Sequence, residues 1–386
     1  MNMNKVITFA AVAASAAIQM SANADTVTTN GVTWTYVANS DGTRTITLGA
    51  SGTTAIPTDA GWEAAAIPGK FVIDGETYTV TRIGGNGFYG CTGLKGDLRI
   101  PYSVTHIDCA SCFRGCNGLT GIASWGGLVA FKSGNFLTSC NKLKGPLPSF
   151  SQFTGLGSGG YDTYAMFNEC SSLQGVCING GVKLNIGYMF RNATSMKILL
   201  AGPNTSVTAN LTQSSTFSGV SGCKAIVPTA GWSGWRPGGS NIDVTYYGPA
   251  NEITSLSIDE TRRVVAMTPT TPDSLVKALN LAPLFKNHLD LDTRISVTNT
   301  LDLTGVTIDS TAVSGVTFDR LMFSAKTQAQ LNAILHAFPV TTPISIDPTG
   351  LTENMTIPDT YSNVHVKTVP GVTIRRTAAG FMIIVK

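Results

Sequence analysis

A seven-residue pattern with apolar residues or cysteine at positions one, four and seven recurs six times between residues 88 and 223. Four copies carry Cys at position four and Leu at position seven, and two later copies are less regular. The copies are Phe88-Cys91-Leu94, Phe113-Cys116-Leu119, Leu137-Cys140-Leu143, Phe167-Cys170-Leu173, Phe190-Ala193-Met196 and Phe217-Val220-Cys223. Their first positions are 23 to 30 residues apart, which is typical of one coil of a solenoid.

The spacing of three residues explains how such coils bury their apolar side chains. In a short helical or 3₁₀-like turn, residues three apart share one face. A single coil cannot bury that face alone and must stack on its neighbours, and Cys suits a narrow inner layer because it is small and often buried. The predicted repeat core is Phe88, Cys91, Leu94, Phe113, Cys116, Leu119, Leu137, Cys140, Leu143, Phe167, Cys170, Leu173, Phe190, Met196 and Phe217.

Strand-rich segments flank the predicted stack, which we place at residues 83–248. Residues 25–82 contain β-rich runs with turn signals at 39–42 and at Asp74-Gly75. A stack of coils needs a cover at its open end, because an exposed apolar layer aggregates. We therefore interpret residues 25–82 as an N-terminal β cap.

The C-terminal region, residues 249–386, carries a second pattern. Helical spacing at 275–285 and at 329–338 is followed in each case by predicted strands. The strands are 295–297 and 306–308 after the first helix, and 344–346 and 355–357 after the second, an offset of 49 residues. This pattern predicts either two helix-plus-strand units of an α+β domain or divergent repeat coils.

The N-terminus has the features of a secretory signal peptide. Lys5 precedes a 13-residue apolar run from Val6 to Ile18, which is too short to span a bilayer, and Ala22-Asn23-Ala24 fits the cleavage rule. We predict a signal peptide over 1–24, cleavage after Ala24, and a secreted or cell-surface location; the alternative is a buried N-terminal helix. No later run is long enough for a membrane helix, so the mature chain is predicted to have no transmembrane segment.

Composition excludes two classes of protein. Charged residues make up 13% of the chain, 43% of it is hydrophobic, and the net charge is +3. Disorder requires low hydrophobicity and high net charge, and nucleic-acid binding usually requires a strongly basic surface. We predict a folded, turn-rich β protein without a nucleic-acid partner.

Two segments of the sequence resemble the repeats of a known family. The stretches GNGFYGCTGLKGDLRIPYSVTHIDCASCF and YAMFNECSSL resemble the leucine-rich repeats of BspA-like bacterial surface proteins, over about residues 70–225. The resemblance implies a curved solenoid, export, and binding or adhesion rather than catalysis. The expected fold is α+β and β-rich: a leucine-rich-repeat solenoid with an N-terminal β cap and C-terminal helix-plus-strand units.

Eight cysteines in an exported chain raise the question of disulfides or a metal site. Cys109 and Cys112 have a CxxC spacing, and Cys116 and His106 complete a candidate tetrahedral zinc set. However, Cys116 belongs to the repeat core and a second CxxC is absent. We therefore predict buried free thiols, with neither a metal nor a cofactor.

Two other clusters have alternative interpretations. Asp290 and Asp292 alternate with leucines and are predicted to face one side of a strand, either as a solvated face or as a carboxylate pair of a hydrolase or calcium site. Trp62, Trp232 and Trp235 are packing anchors or an aromatic ligand platform. No motif of a known catalytic class is present, so no catalytic residue is predicted.

Three functions remain in competition. The first is a non-enzymatic protein that binds a protein or glycan partner, since stacked coils present an extended surface. Its candidate contact residues lie between the apolar repeat positions and must face outward: Tyr89, Arg114, Asn117 and Lys142. The second is a self-assembling structural component of the cell envelope, and the third is a carboxylate-dependent hydrolase.

Overall fold

The computed structural model shows a chain that is mostly β with few helices. It describes residues 24–40, 43–62, 67–131, 134–153, 163–208, 215–309, 311–351, 353–369, 374–378 and 381–385. The predicted signal peptide lies outside these residues except for Ala24, and so does the Asp41-Gly42 part of the first predicted turn.

The described residues form two compact units. The first lies within Met1–Leu199, Asn204–Lys224 and Gly231–Asp243. The second lies within Leu200–Pro203, Ala225–Ala230 and Val244–Lys386.

A mixed sheet begins the first unit. Strands β1 to β9 are Asp25–Thr29, Val32–Ala38, Thr45–Leu48, Lys70–Ile73, Glu76–Ile83, Gly96–Arg99, His106–Ile107, Leu119–Ser124 and Ala130–Phe131. The sheet has the order β1-β2-β3-β5-β7-β9, with β4 paired to β5, while β6 and β8 pair separately. From β3 onward the pairs along this path are parallel and follow chain order, as do β6 and β8.

The predicted turn at Asp74-Gly75 is confirmed. Ile73 and Glu76 pair across an antiparallel hairpin, and the two residues between them have φ of 50° and 81°. Two-residue hairpins require positive φ at both central positions, which Asp-Gly tolerates well.

Further short strands follow along the repeats. Strands β10 to β15 are Gly175–Ile178, Lys183–Leu184, Ile198–Ala201, Ser206–Val207, Lys224–Pro228 and Asp243–Tyr247, and the four-residue helix α1 is Thr229–Trp232. Their sheet order is β10-β12-β14-β15, and β11 pairs with β13 in parallel.

The second unit is built on a largely parallel sheet. Strands β16 to β25 are Ile253–Asp259, Val264–Pro269, Asp292–Ser296, Leu301–Asp302, Val316–Ser324, Ile344–Asp347, Met355–Pro358, Val364–Val366, Ile374–Ala378 and Phe381–Val385. The order is β16-β17-β18-β20-β21-β23, with β19 on β20 and a separate sheet β22-β24-β25. After the β16–β17 hairpin every neighbouring pair on this path is parallel.

The two predicted helices are confirmed as the crossovers that parallel strands require. Helix α2, Pro272–Leu289, joins β17 to β18, and helix α3, Gln328–Ala337, joins β20 to β21. Thr271 and Ser274 form a capping box at the start of α2, with Pro272 in its first turn. The helix therefore begins three residues before the first position of the predicted helical spacing, 275–285.

One predicted strand, 306–308, is wrong. The Val306 amide donates to the Leu303 carbonyl over 3.0 Å, and Gly305 has φ of 77°, so the chain turns here instead of running straight. The nine-residue strand β20, which the sequence pattern missed, pairs with β18. The corresponding strand at 355–357 is confirmed within β22.

Candidate functional site

The six copies of the repeat share one backbone conformation. In every copy the amide of position four donates to the carbonyl of position one, over 2.8 to 3.2 Å. In the first five copies the amide of position seven donates in turn to the carbonyl of position four, over 3.0 to 3.2 Å. Each copy is therefore a pair of consecutive tight turns whose positions one, four and seven share a face.

Hydrogen bonds also join each copy to the next. The amide of position one donates to the residue before position one of the following copy, as from Phe88 to Cys112 and from Phe113 to Phe136, over 2.8 and 3.0 Å. The amide of position three also donates to a carbonyl of the next copy, as from Gly90 to Arg114 over 2.8 Å. The copies are thus stacked in chain order.

The predicted core residues lie inside this stack. All fifteen have no solvent exposure. Phe88 and Phe113 stack with ring centroids 5.1 Å apart, Phe167 and Phe190 at 5.8 Å, and Phe190 and Phe217 at 5.2 Å.

The third copy has Leu137 at position one, and other rings keep the aromatic column continuous there. Phe136, one residue earlier, contacts Phe113 at 5.3 Å. Trp125 and Phe150 then lead from Phe136 to Phe167, at centroid distances between 5.6 and 6.4 Å. The repeat pattern missed these residues because they stand outside its registers.

The cysteines at position four have a specific partner. The thiols of Cys116, Cys140 and Cys170 donate to the position-one carbonyl of the preceding copy, over 3.0, 3.1 and 3.1 Å. That carbonyl already accepts the amide of its own position four, and a carbonyl oxygen can accept two hydrogen bonds. Cys therefore supplies both a small apolar side chain and a link between coils.

Burial makes these thiols unreactive. It raises the pKa of Cys91 and of Cys140 to about 12, and the pKa of Cys116 well above its usual value. The thiolate is the nucleophile and the metal ligand, and these thiols stay protonated at neutral pH. All eight cysteines are free in the structure.

The zinc set considered from the sequence is not assembled. The Cys116 thiol is bonded to the Phe88 carbonyl, while the His106 ring lies on β7 with its Nδ1 2.9 Å from the Thr105 hydroxyl. The sulfurs of Cys109 and Cys112 lie beside Gly87, where a Cβ atom would come within 2.8 Å of the first and still closer to the second. Within the described ranges no group of three or more His, Cys, Asp and Glu side chains is placed to hold a metal ion.

The four candidate contact residues are exposed. Tyr89 has 46% of its surface exposed, and Arg114, Asn117 and Lys142 are also exposed. The Arg114 guanidinium lies 6.0 Å from the Tyr89 ring centroid, so the outer residues of two successive copies are neighbours. The structure thus brings Tyr89 and Arg114 together, whereas among the residues that the structure describes neither Asn117 nor Lys142 makes a side-chain hydrogen bond or ion pair with this pair.

A similar surface pair was missed by the sequence reasoning. Arg191 lies 5.4 Å from the Tyr188 ring centroid, and the Tyr164 ring contacts Tyr188 at 5.5 Å. Tyr188 stands two residues before position one of the fifth copy, and no pattern in the sequence singles it out.

The expectation that Asp290 and Asp292 share a strand is wrong. Asp290 is the C-cap of α2 with φ of 52°, and only Asp292 lies in β18. Both carboxylates reach Lys286 Nζ, at 3.4 and 3.0 Å, and Asp290 also pairs with Arg263 Nε at 3.1 Å. The two carboxylates raise the pKa of Lys286, and they are neutralised by cations rather than poised for acid–base catalysis.

The tryptophans are packing anchors. Trp232 and Trp235 are buried, with ring centroids 5.0 Å apart. Trp62 is half-buried and packs edge-on against Trp34 at 5.0 Å. The aromatic platform considered from the sequence is therefore wrong for Trp232 and Trp235.

The second unit contains a cavity that the sequence did not indicate. It has a volume of about 580 Å³ and lies between α3 and the turn at 302–308. Its one carboxylate, Asp302, accepts both the amide and the hydroxyl of Thr304 over 2.9 and 2.6 Å, and these bonds lower its pKa. Among the described residues that line the cavity there is no second carboxylate with which Asp302 could form a hydrolytic pair.

Comparison with known proteins gives two similar structures. A leucine-rich cell surface protein from Faecalibacterium prausnitzii is 13% identical over 90% of this chain and 96% of its own, with a TM-score of 0.30. A leucine-rich-repeat protein from Bacteroides ovatus is 12% identical over 84% of this chain and 97% of its own, with a TM-score of 0.16. No family model matches, and neither does any curated protein.

Across the described part of the chain, none of the helices combines the length and apolarity needed to cross a membrane.

Proposed function

We propose that this chain is an exported, non-enzymatic leucine-rich-repeat solenoid that binds a protein or glycan partner at the cell surface. The observation that carries the proposal is the division of every repeat between two faces. Positions one, four and seven are buried inside the stack, while the polar residues between them, except the buried Thr138, are exposed or half-exposed in successive copies. A stack of this kind presents a long, regular surface suited to large ligands.

The chemistry of the described residues favours binding over catalysis. The thiols of Cys91, Cys116, Cys140 and Cys170 are buried and protonated, and the Asp290 and Asp292 carboxylates are paired with Lys286 and Arg263. The hydrolase alternative would need those carboxylates free of cations. The resemblance to BspA-like surface proteins and the predicted signal peptide support a location outside the cell.

Self-assembly is the structural alternative. Strand β1 ends the first sheet, and an edge strand offers unpaired backbone groups to another chain. A concentration-dependent rise in molar mass by light scattering would favour self-assembly, whereas a strict monomer would leave partner binding as the function.

The test is an array of matrix proteins and glycans probed with the purified mature chain. We expect at least one ligand whose binding falls when Tyr89→Ala and Arg114→Ala are combined, because this pair is exposed on adjacent copies. The matched control combines Tyr102→Ala and Arg99→Ala, also an exposed Tyr and an exposed Arg. If the folded wild-type chain binds none of the proteins or glycans on the array, the proposal is overturned.

A further inference from the structure

The charge of the chain is unevenly distributed along its sequence. Residues 83–248, the predicted stack, contain eleven Lys and Arg but five Asp and Glu, whereas the whole chain has a net charge of +3. The stack segment therefore carries a net charge of +6 and the remainder −3. Of these charged residues, Lys132 and Asp162 lie outside the described part of the structure.

The residue after each repeat, position eight, forms a column on the stack. It is occupied by Lys95, Thr120, Lys144, Gln174, Lys197 and Lys224. The amide of each member from Lys144 onward donates to the carbonyl of the previous member, over 2.7 to 3.2 Å. Lys144, Gln174 and Lys197 are exposed, so this column is a row of long polar side chains on the outside of the stack.

Within the described part of the chain, two lysines of the column have no acidic partner. Lys224, the last member of the column, forms an ion pair with Asp243 at 2.7 Å, so its charge is neutralised. Among the described residues, no ion pair engages Lys144, Lys197 or the nearby Lys142. An exposed row of unpaired cations attracts a partner of opposite charge.

A second outward column is neutral and polar. Position five is always Asn, Ser or Thr: Thr92, Asn117, Asn141, Ser171, Thr194 and Ser221. Five of these six residues are exposed, and Ser171 is half-buried. Hydroxyl and amide groups can donate and accept hydrogen bonds with the hydroxyl groups of sugars.

We propose that the position-eight column, centred on Lys144 and Lys197, binds a linear polysaccharide that carries carboxylate or sulfate groups. This inference rests on the proposed partner-binding function and names its ligand class. Coils about 4.8 Å apart separate Lys144 from Lys197, two coils away, by about 10 Å. A polysaccharide chain that runs along the column can place a negatively charged group at each of these lysines, an arrangement that opposite charges favour.

The side chains of the two columns favour sugar over nucleic acid. Single-stranded nucleic acids are held by aromatic side chains on which bases stack. Positions five and eight contain no aromatic residue in any of the six copies.

The experiment measures binding of the mature chain to polygalacturonate, dextran sulfate, neutral dextran and single-stranded DNA at several salt concentrations. We expect binding to one or both acidic polysaccharides, weaker binding to DNA, and none to dextran. The logarithm of the association constant should fall linearly with the logarithm of salt concentration, as for other polyanions.

Variants locate the site. The double variant Lys144→Gln and Lys197→Gln should weaken binding about tenfold at low salt and flatten the salt dependence. The control, Lys70→Gln with Lys277→Gln, removes the same charge from exposed residues elsewhere and should change binding less than twofold. Both pairs are surface substitutions, and thermal unfolding checks that both variants are folded.

Several outcomes would overturn the inference: no acidic polysaccharide bound, DNA bound at least as tightly, or equal weakening by the two double variants. If no acidic polysaccharide is bound while the array yields a protein or neutral-glycan ligand, this inference is overturned and the proposed function stands.

Discussion

Single side chains decide how neighbouring coils are joined. The thiol-to-carbonyl bonds of Cys116, Cys140 and Cys170 recur at one geometry, 3.0 to 3.1 Å, in three successive copies. Ala193 and Val220 stand at the same position in the last two copies and are equally buried. Apolar packing is therefore common to all copies, and the thiol adds a polar link where it is present.

Cys116→Ala should lower the free energy of unfolding by about 1–2 kcal/mol, because it leaves a small void and removes a buried hydrogen bond. Cys177→Ala is the control, since Cys177 is half-buried and outside the repeat positions; it should cost less. Chemical denaturation of both variants measures the difference, and equal losses would mean that the thiol link contributes nothing.

Because its thiols are buried, the protein should lose stability at alkaline pH. The folded pKa of Cys140 is about 12 against an ordinary value of 9.0, so above pH 9 the unfolded chain releases a proton that the folded chain retains. The thiol's contribution to stability is complete below pH 9 and is lost between about pH 9 and 12. Per thiol, the free energy of unfolding should fall by about 1.4 kcal/mol per pH unit in this window.

Urea titrations at pH 8, 9, 10 and 11 measure that slope. Cys140→Ala should reduce the number of protons released on unfolding by about one, so the free energy of unfolding should fall less steeply with pH. A slope identical to that of the wild type would show that Cys140 ionises as readily in the folded protein as in the unfolded chain.

Among the structural elements, the turn of each repeat has one conformational requirement that the residue types only partly reveal. Position three has positive φ in all six copies, between 58° and 80°: Gly90, Gly115, Ser139, Glu169, Asn192 and Gly219. Three copies use Gly, which adopts this conformation freely. In the other three copies this conformation strains the backbone. Side-chain contacts, such as the hydrogen bond from Ser139 to Glu169 at 2.7 Å, offset part of the strain.

Exchanging residues at position three should therefore change stability in opposite directions. Glu169→Gly should raise the free energy of unfolding by up to about 1 kcal/mol, because strain is relieved and the exposed contact to Ser139 is weak. Gly115→Ala should lower it by about 1 kcal/mol through strain alone, since a Cβ there would meet nothing closer than Gly90 Cα at 3.7 Å. Thermal unfolding measures both, and the same sign for the two would contradict the requirement.

In the molecule as a whole, the stack makes stability a property of neighbouring copies. Phe167 contacts Phe150 on one side and Phe190 on the other, at 6.4 and 5.8 Å. In a quasi-one-dimensional array, each repeat is stabilised chiefly by the repeats beside it. Damage to one copy should therefore affect the neighbouring copies more than the second unit.

Phe167→Ala should cost about 3–5 kcal/mol and accelerate hydrogen exchange at the amides of Leu137 and Phe190, which bond between copies. Exchange within helix α2 should change much less. The reciprocal control is Phe323→Ala, which removes a fully buried ring of the second unit. It should accelerate hydrogen exchange within α2 more than at the amides of the repeats. Uniform acceleration in both variants would refute nearest-neighbour stabilisation.

Periodicity in the sequence was enough to predict the repeat registers, the direction of each buried face and the helices α2 and α3, because burial of apolar side chains imposes its spacing on the chain. The hairpin at Asp74-Gly75 was predictable for the same kind of local reason. Strand 306–308 was not, since the turn at Gly305 outweighed an alternating pattern.

Contacts between residues distant in the sequence settled the rest. Phe136, Trp125 and Phe150 carry the aromatic column past Leu137, the thiols find carbonyls about 30 residues away, and Asp290 and Asp292 meet Lys286 from a helix cap and a strand. The row of lysines at position eight is visible only when the coils are stacked. Such partners follow from the path of the folded chain, because residues 20 to 30 positions apart become neighbours when each coil lies on the next.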